Sequence, residues 1–260
     1  MPKKHLGQNF LRDEAVLQRI IESSSLSTDD LVLEIGPGEG VLTERLAEHA
    51  KKVIAIEIDG DLIGNLRDKF KDDPSVRIIN KDILKMNLPE FIAKEFKDGK
   101  YKLIANIPYY ITSPIIRLFL ETKLPPTEMI LMVQKEVAER IVAKPGSMSI
   151  LAVSVQYYAQ AELLFDVDAE SFYPIPEVDS AVIRIKPEAR SRNRDEAKKF
   201  FRVVKAGFSS KRKTLSNNLS SSFCLNKKEV DEKLKSAGLS PIQRAQELNI
   251  EDWERLASIF

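Results

Sequence analysis

The chain has 260 residues, 43% of them apolar and 30% charged, enough for one large or two ordinary domains around a buried core. One cysteine, Cys224, and two histidines, His5 and His49, exclude an internal disulfide and leave too few soft ligands for a zinc or iron–sulfur site, so no metal is expected. Forty Lys and Arg against 39 Asp and Glu sum to +1, yet residues 184–213 hold twelve basic and three acidic side chains, a local +9 on a body of −8. The basic residues 1–8 precede no signal-peptide apolar core, and no stretch approaches the ~18 apolar residues of a membrane span, so a reducing, cytoplasmic setting is expected.

In chain order, a helix is predicted over residues 13–22, with Asn9 as its cap on the residues alone. Short β-branched runs follow at 31–35, 53–58, 76–79, 103–107 and 129–133, separated by helical stretches at 41–50, 61–70, 114–120 and 135–143. Strands alternating with amphipathic helices predict an α/β fold with a parallel, Rossmann-like sheet. After a further helix at 150–159, strands at 162–168 and 180–186 flank a proline-bearing loop, 172–177, and are expected to pair antiparallel at the sheet's end. Beyond residue 187 the strand pattern stops. A polar link at 188–194 leads into helical segments near 196–207, 211–221, 227–237 and 251–260, so the expected division is an α/β domain, 1–187, and a small all-α domain, 188–260.

The first strand runs into Gly36-Pro37-Gly38-Glu39-Gly40 and then a helix, where alternate glycines permit a tight turn and close approach of backbone to a ligand. The second strand ends at Glu57, 21 residues after Gly36, the position at which doubly wound folds hold ribose hydroxyls. Asp59 offers a second carboxylate that can instead cap the next helix. Asp82, after the third strand, can hold an adenine amine or serve the turn. NAD and S-adenosylmethionine both fit these features.

The fourth strand separates them, since it ends in Asn106-Ile107-Pro108-Tyr109. An exocyclic adenine amine is a poor nucleophile because its lone pair is delocalised into the ring. The Asn106 amide oxygen and a backbone carbonyl beside a proline (Ile107 or Pro108) can accept both N–H hydrogens and favour a pyramidal nitrogen. Tyr109 can stack on an extruded base, and Phe172 is a second stacking candidate or a core aromatic. Such chemistry requires no metal, covalent intermediate or dedicated base.

With these residues in place, the sequence resembles the ribosomal RNA adenine N6,N6-dimethyltransferase family, and within it the small-subunit branch whose loss confers kasugamycin resistance. The carriers run nearly end to end: His5-Leu6-Gly7-Gln8-Asn9-Phe10-Leu11, Glu34-Ile35-Gly36-Pro37-Gly38, Asn106-Ile107-Pro108-Tyr109, Gln134-Lys135-Glu136-Val137, Phe172 with Pro174 and Pro176, Val178-Asp179-Ser180-Ala181-Val182, and the run from Phe208 through Lys211-Arg212-Lys213 to Leu215. Ile107, Ile175, Ser209 and Ser210 depart mildly from the family pattern.

The resemblance implies a class I S-adenosylmethionine methyltransferase fold. Asn9 and Leu11 would close over the cofactor, Gly36 would approach its methionine part, Glu57 its ribose and Asp82 its adenine amine, while Asn106 would meet both cofactor and target. The implied reaction places two methyl groups on each of two adjacent adenosines in a hairpin near the 3′ end of 16S ribosomal RNA, late in 30S assembly; a monomer is the default expectation. Basic residues including Lys205, Lys211, Arg212 and Lys213 are expected on faces of two short helices, neutralising RNA phosphates. The alternatives are a large-subunit adenine dimethyltransferase, a non-catalytic assembly factor, and, least favoured, a nicotinamide dehydrogenase, for which no acid–base pair accompanies the glycine loop.

Overall fold

The chain enters through a two-residue strand, β1 (Phe10–Leu11), and helix α1 (Glu14–Ser24). The cap of α1 is Asp13, whose carboxylate accepts from Ala15 N at 2.9 Å and Val16 N at 3.3 Å, so Asn9 is released from the capping role. The computed structural model describes residues 3, 7–97, 99–188 and 194–260; His5 and Leu6 of the first motif, and 189–193 of the polar link, lie outside the described residues.

Runs of apolar residues then become strands whose side chains are covered on both faces, except at the edge strand Val76–Asn80, none of whose residues is buried. They are β2 (Leu31–Ile35), β3 (Lys52–Glu57), β4 (Val76–Asn80), β5 (Lys102–Asn106) and β6 (Glu128–Gln134), all parallel where they pair. Helices α2 (Val41–Ala47), α3 (Gly60–Lys69), α4 (Leu88–Glu95) and α5 (Thr112–Leu120) make the crossovers, α4 without a counterpart among the expected elements. After α6 (Lys135–Ile141) and α7 (Ile150–Gln156), β7 (Ala159–Val167) and β9 (Ser180–Pro187) pair antiparallel at the sheet's end, as expected. Helix α7 stops at Gln156 rather than Ala159, because Ala159 already pairs with Pro187. Between these strands, β8 (Phe172–Tyr173) leaves the sheet and pairs antiparallel with β1.

The strand order β4-β3-β2-β5-β6-β9-β7 reverses direction between β2 and β5. Such a switch point leaves a crevice at the carboxyl ends of the two strands. The glycine loop leaves β2 there, and Asn106 terminates β5 beside it.

The chain divides into two compact units, residues 1–138 with 159–187 and residues 139–158 with 188–260. A single cut after 187 therefore does not describe it. Residues 139–158 join the helical unit because Met148, Ala152, Val153 and Tyr157 are buried in its core, with the Tyr157 ring 3.9 Å from that of Phe200. That unit contains α8 (Arg194–Gly207), α9 (Leu215–Phe223), α10 (Lys227–Ser236) and α11 (Ile250–Ile259) around the fully buried Trp253. Among the described residues no helix is long and apolar enough to cross a membrane.

Gly207 sits where a Cβ would drive into the Trp253 indole and lie 3.1 Å from Leu215 Cδ1. Gly207→Ala is expected to destabilise the helical unit by about 1–3 kcal/mol through overpacking. Urea unfolding followed by the fluorescence of Trp253, the chain's one tryptophan, measures this. A wild-type midpoint would show that the core yields.

Candidate active site

The residues of the glycine loop adopt the conformations that their identity permits. Gly36 and Gly38 have φ of +70° and +59°, in the left-handed region that favours glycine, and a Cβ on Gly38 would lie 3.0 Å from the Phe10 ring. The loop's backbone is tied to the ends of the neighbouring strand, with Gly36 N donating to Ile56 O at 2.9 Å and Gly38 N donating to the Glu57 carboxylate at 3.3 Å. Glu57 also accepts from Asp59 N at 2.8 Å. Its carboxyl is 95% withdrawn from solvent as a residue, and burial pushes its pKa up against these backbone donors.

Asp59 is engaged elsewhere. It caps α3 through Asp61 N at 3.1 Å, as the capping alternative anticipates, and it also receives Lys3 Nζ at 2.6 Å and Gln8 Nε2 at 2.8 Å. Burial opposes its charge, but the Lys3 ammonium, the Gln8 amide and the helix amide outweigh it and hold the carboxyl below its ordinary range. Two acids two residues apart thus separate in role, Asp59 fastening the segment that contains Asn9 while Glu57 faces the cavity. Asp82 both caps the short helical turn Ile83–Lys85, accepting from Leu84 N at 3.0 Å, and lines the same cavity.

At the end of β5, Asn106 Nδ2 donates to Asn9 O at 3.5 Å, and Asn106 Oδ1 accepts no hydrogen bond among the described residues. Pro108 O takes part in the following turn, accepting from Ile111 N at 3.1 Å, whereas Ile107 O accepts no backbone hydrogen bond among the described residues. The Tyr109 hydroxyl is held 2.8 Å from Ser180 Oγ, and burial raises its pKa. Ser180 opens β9 opposite Gln134, so the segments Asn106–Tyr109, Gln134–Val137 and Val178–Val182 are joined through Ser180, which bonds Tyr109 and pairs with Gln134. Phe172 is 3% exposed, in a core cluster with Leu11 and Val182, and it also lines the cavity.

All ten residues expected at cofactor or target, namely Asn9, Leu11, Gly36, Gly38, Glu57, Asp82, Asn106, Pro108, Tyr109 and Phe172, line this one cavity of about 220 Å³. The remaining expected positions lie in the helical unit. Lys205 is exposed on α8, while Lys211, Arg212 and Lys213 are exposed in the turn before Thr214, the cap of α9, and not on a helical face as the spacing had predicted. Thr214 accepts from Asn217 N and so starts the helix at Leu215, four residues later than the charge pattern suggests.

The chain matches the family model described as ribosomal RNA adenine dimethylase over residues 2–260. The chain belongs to the ribosomal RNA adenine dimethylase family. It is an S-adenosylmethionine-dependent ribosomal RNA adenine dimethyltransferase, with the Rossmann-like sheet and helical C-terminal part of that family. It is 44% identical over 255 residues to a protein of Dehalococcoides mccartyi strain CBDB1 named ribosomal RNA small subunit methyltransferase A, covering 98% of this chain and 87% of the relative. A protein of the same name from Geobacillus kaustophilus is 43% identical over 263 residues, with 98% and 90% covered. Among solved structures, a dimethyladenosine transferase from Plasmodium falciparum is similar with a TM-score of 0.80 and 28% identity over 95% of each chain. The 23S rRNA methyltransferase ErmE has a TM-score of 0.76 and 30% identity, with 96% of this chain and 99% of that one covered.

Two residues at or beside the cavity were assigned no role from sequence. Ser180 lies within a quoted motif but shows its purpose only when paired with Tyr109. Glu34, by contrast, left a signal, a lone acid in the apolar strand Leu31–Ile35. It is 1% exposed, lines the cavity and accepts from Thr43 Oγ1 at 2.6 Å. Burial pushes its pKa from 4.5 up to about 8, against the Thr43 hydrogen bond. The folded chain therefore retains a proton that the unfolded chain releases, and stability falls as pH rises from 4.5 to about 8, then levels off. Glu34→Gln should flatten the decline in melting temperature across that window. An unaltered slope in thermal scans would show that Glu34 is ionised when folded.

Proposed function

We propose that this chain places two methyl groups on each of two adjacent adenosines in a hairpin near the 3′ end of small-subunit ribosomal RNA, acting as a monomer on a 30S assembly intermediate in the cytoplasm, where that RNA is assembled. The observation that carries the proposal is the convergence of Glu57, Asp82 and Asn106 in one cavity at the switch point, the carboxylates from the β3–β4 side of β2 and Asn106, whose amide oxygen has no partner among the described residues, from the β5 side. The curated relatives named for the small subunit align over nearly the whole chain, which supports that branch over the large-subunit one.

The donor set fits S-adenosylmethionine: carboxylates for a nucleoside's hydroxyls and amine, glycine backbone that permits close approach, and apolar walls from Ile58 and Ile83. When bound, that cofactor supplies an electrophilic methyl on a sulfonium. In this assignment Glu57 binds the ribose and Asp82 the adenine amine, Gly36 and Gly38 flank the methionine part, and Asn9 and Leu11 cover it. Asn106 Oδ1 and the Ile107 carbonyl accept the two hydrogens of the target amine, drawing its lone pair out of the ring so that it points at the electrophile. Tyr109, fixed through Ser180, and Phe172 hold the target base between aromatic faces and exclude water. Pro108 supplies no N–H and so leaves that turn free of a competing donor.

The test is methyl transfer from labelled S-adenosylmethionine to undermethylated 30S particles, with 50S particles in parallel and products digested to nucleosides. Dimethyladenosine from 30S alone is expected, and label in 50S would move the chain to the large-subunit branch. In the same assay Asn106→Ala should lower kcat by at least about a hundredfold with a smaller change in KM, because its hydrogen bonds strengthen as the nitrogen pyramidalises. A change confined to KM would remove Asn106 from the reaction.

We also assign phosphate contacts to Lys205, Lys211, Arg212 and Lys213, which are exposed and have no ion-pair partner among the described residues. Replacing both Arg212 and Lys213 by Ala should reduce the slope of log affinity for RNA against log salt by about 1.5, at 0.7–0.9 per lost phosphate contact. Cofactor affinity should stay at the wild-type value. An unchanged slope would place the RNA elsewhere.

A further inference from the structure

The ribbon made by β1 and β8 has two faces. Leu11 pairs with Phe172 and Phe10 with Tyr173, and alternation sends the first pair inward, 6% and 3% exposed, while Tyr173 is 60% exposed. Leu11 and Phe172 wall the cavity that contains Asn106, and Phe10 borders both it and the groove outside, whereas Tyr173 lines only the latter. Phe10 and Tyr173 line a second groove, of about 380 Å³, with Leu62, Asn65, Leu66 and Lys69 on α3 opposite them.

Among the described residues, Tyr110 and Tyr173 are the two aromatics that remain exposed among the large hydrophobic side chains, and each directly follows a ring assigned to the target base. An exposed aromatic on a rigid ribbon is a stacking platform. We propose that this outer groove takes the nucleobase covalently next to the target adenosine, stacked on Tyr173 and read at its edge by the Asn65 amide. The inference rests on the RNA methyltransferase assignment above.

An extruded nucleotide necessarily has a neighbour that has lost a stacking partner, and that neighbour must be accommodated within one nucleotide of the reacting base. Consecutive residues of a strand face opposite sides, so Phe172 and Tyr173 present rings to the two sides of one thin wall. The Asn65 side chain is exposed and has no hydrogen-bond partner among the described residues, so both its donor and its acceptor are available for a base edge. At the ends of the groove Lys69 pairs with Glu44 at 2.9 Å and Arg12 with Glu39 at 2.7 Å, so these acids present no uncompensated negative charge to a polyanion.

The experiment uses the full chain, Tyr173→Ala and Tyr173→Phe on 30S particles reconstituted with RNA that has 2-aminopurine beside the target adenosine. Wild type and Tyr173→Phe should quench the 2-aminopurine on binding. Tyr173→Ala should not, and its KM for undermethylated 30S should rise by about 5- to 150-fold, the range for one lost aromatic–base stack. Its cofactor affinity by calorimetry should match wild type. No methyl transfer by wild type would overturn the enzyme assignment and the groove together. Methyl transfer with wild-type KM and quenching in Tyr173→Ala would overturn the groove alone. A raised KM with quenching retained would assign the groove to a ribosomal protein instead of RNA, and lost cofactor affinity would give the ring to the ribbon's own packing; either result overturns the proposal.

Discussion

Val32 and Leu33 pair in parallel with Lys102 and Leu103, and that short ladder between β2 and β5 is the constraint on which the chemistry depends. It places strands separated by about seventy residues side by side with their carboxyl ends together, at the point where the strand order reverses. The loop after β2 brings glycine backbone to the crevice, the end of β5 brings Asn106, and β3 on the other flank of β2 brings Glu57. Were β5 paired anywhere else, the same residues would lie apart and no cavity would join them.

Charge within the crevice is managed by burial rather than by opposite charge. Glu34 and Glu57 lie in the interior with hydroxyl or backbone donors and no ion-pair partner among the described residues, so burial pushes both upward in pKa. Asp59 receives a lysine and an amide and is lowered. The three acids thus have three fates over a short stretch of structure. Glu34 is held neutral near pH 7, Glu57 remains a hydrogen-bond acceptor tied to the loop it supports, and Asp59 is spent on fastening the N-terminal segment over the cavity. That fastening gives Asn9 its position, because Lys3 and Gln8 anchor the segment on which Asn9 accepts from Asn106.

The aromatic side of the site is organised from outside the parallel sheet. Ser180 begins an antiparallel strand and fixes the Tyr109 hydroxyl, and the ribbon of β1 and β8 sets Phe172 into the wall. The parallel strands end in Glu57 and Asn106, while the antiparallel elements supply Ser180 and Phe172.

Much of this was determined by the sequence alone. Strands buried on both faces leave continuous apolar runs, and the glycine loop, Glu57, Asp82 and Asn106 follow those runs at strand ends, so periodicity and spacing sufficed to place the main strands and these residues, whereas Asn9 and Leu11 were legible only through the family resemblance. What the tertiary structure decided are relations between residues far apart in the chain. A two-residue strand such as Phe172–Tyr173 has no period to detect, and its pairing with Phe10–Leu11 exists only once the sheet holds both nearby. The Asp59 clasp on Lys3 and Gln8, the Ser180 bond to Tyr109 and the union of 139–158 with the C-terminal helices have the same origin. Likewise, the charge pattern extended a helix through Lys211–Lys213 that the Thr214 cap starts later, because an unpaired backbone amide is satisfied there and not at the lysines. Local periodicity records which face of an element is buried; which distant element buries it is settled only when the chain folds.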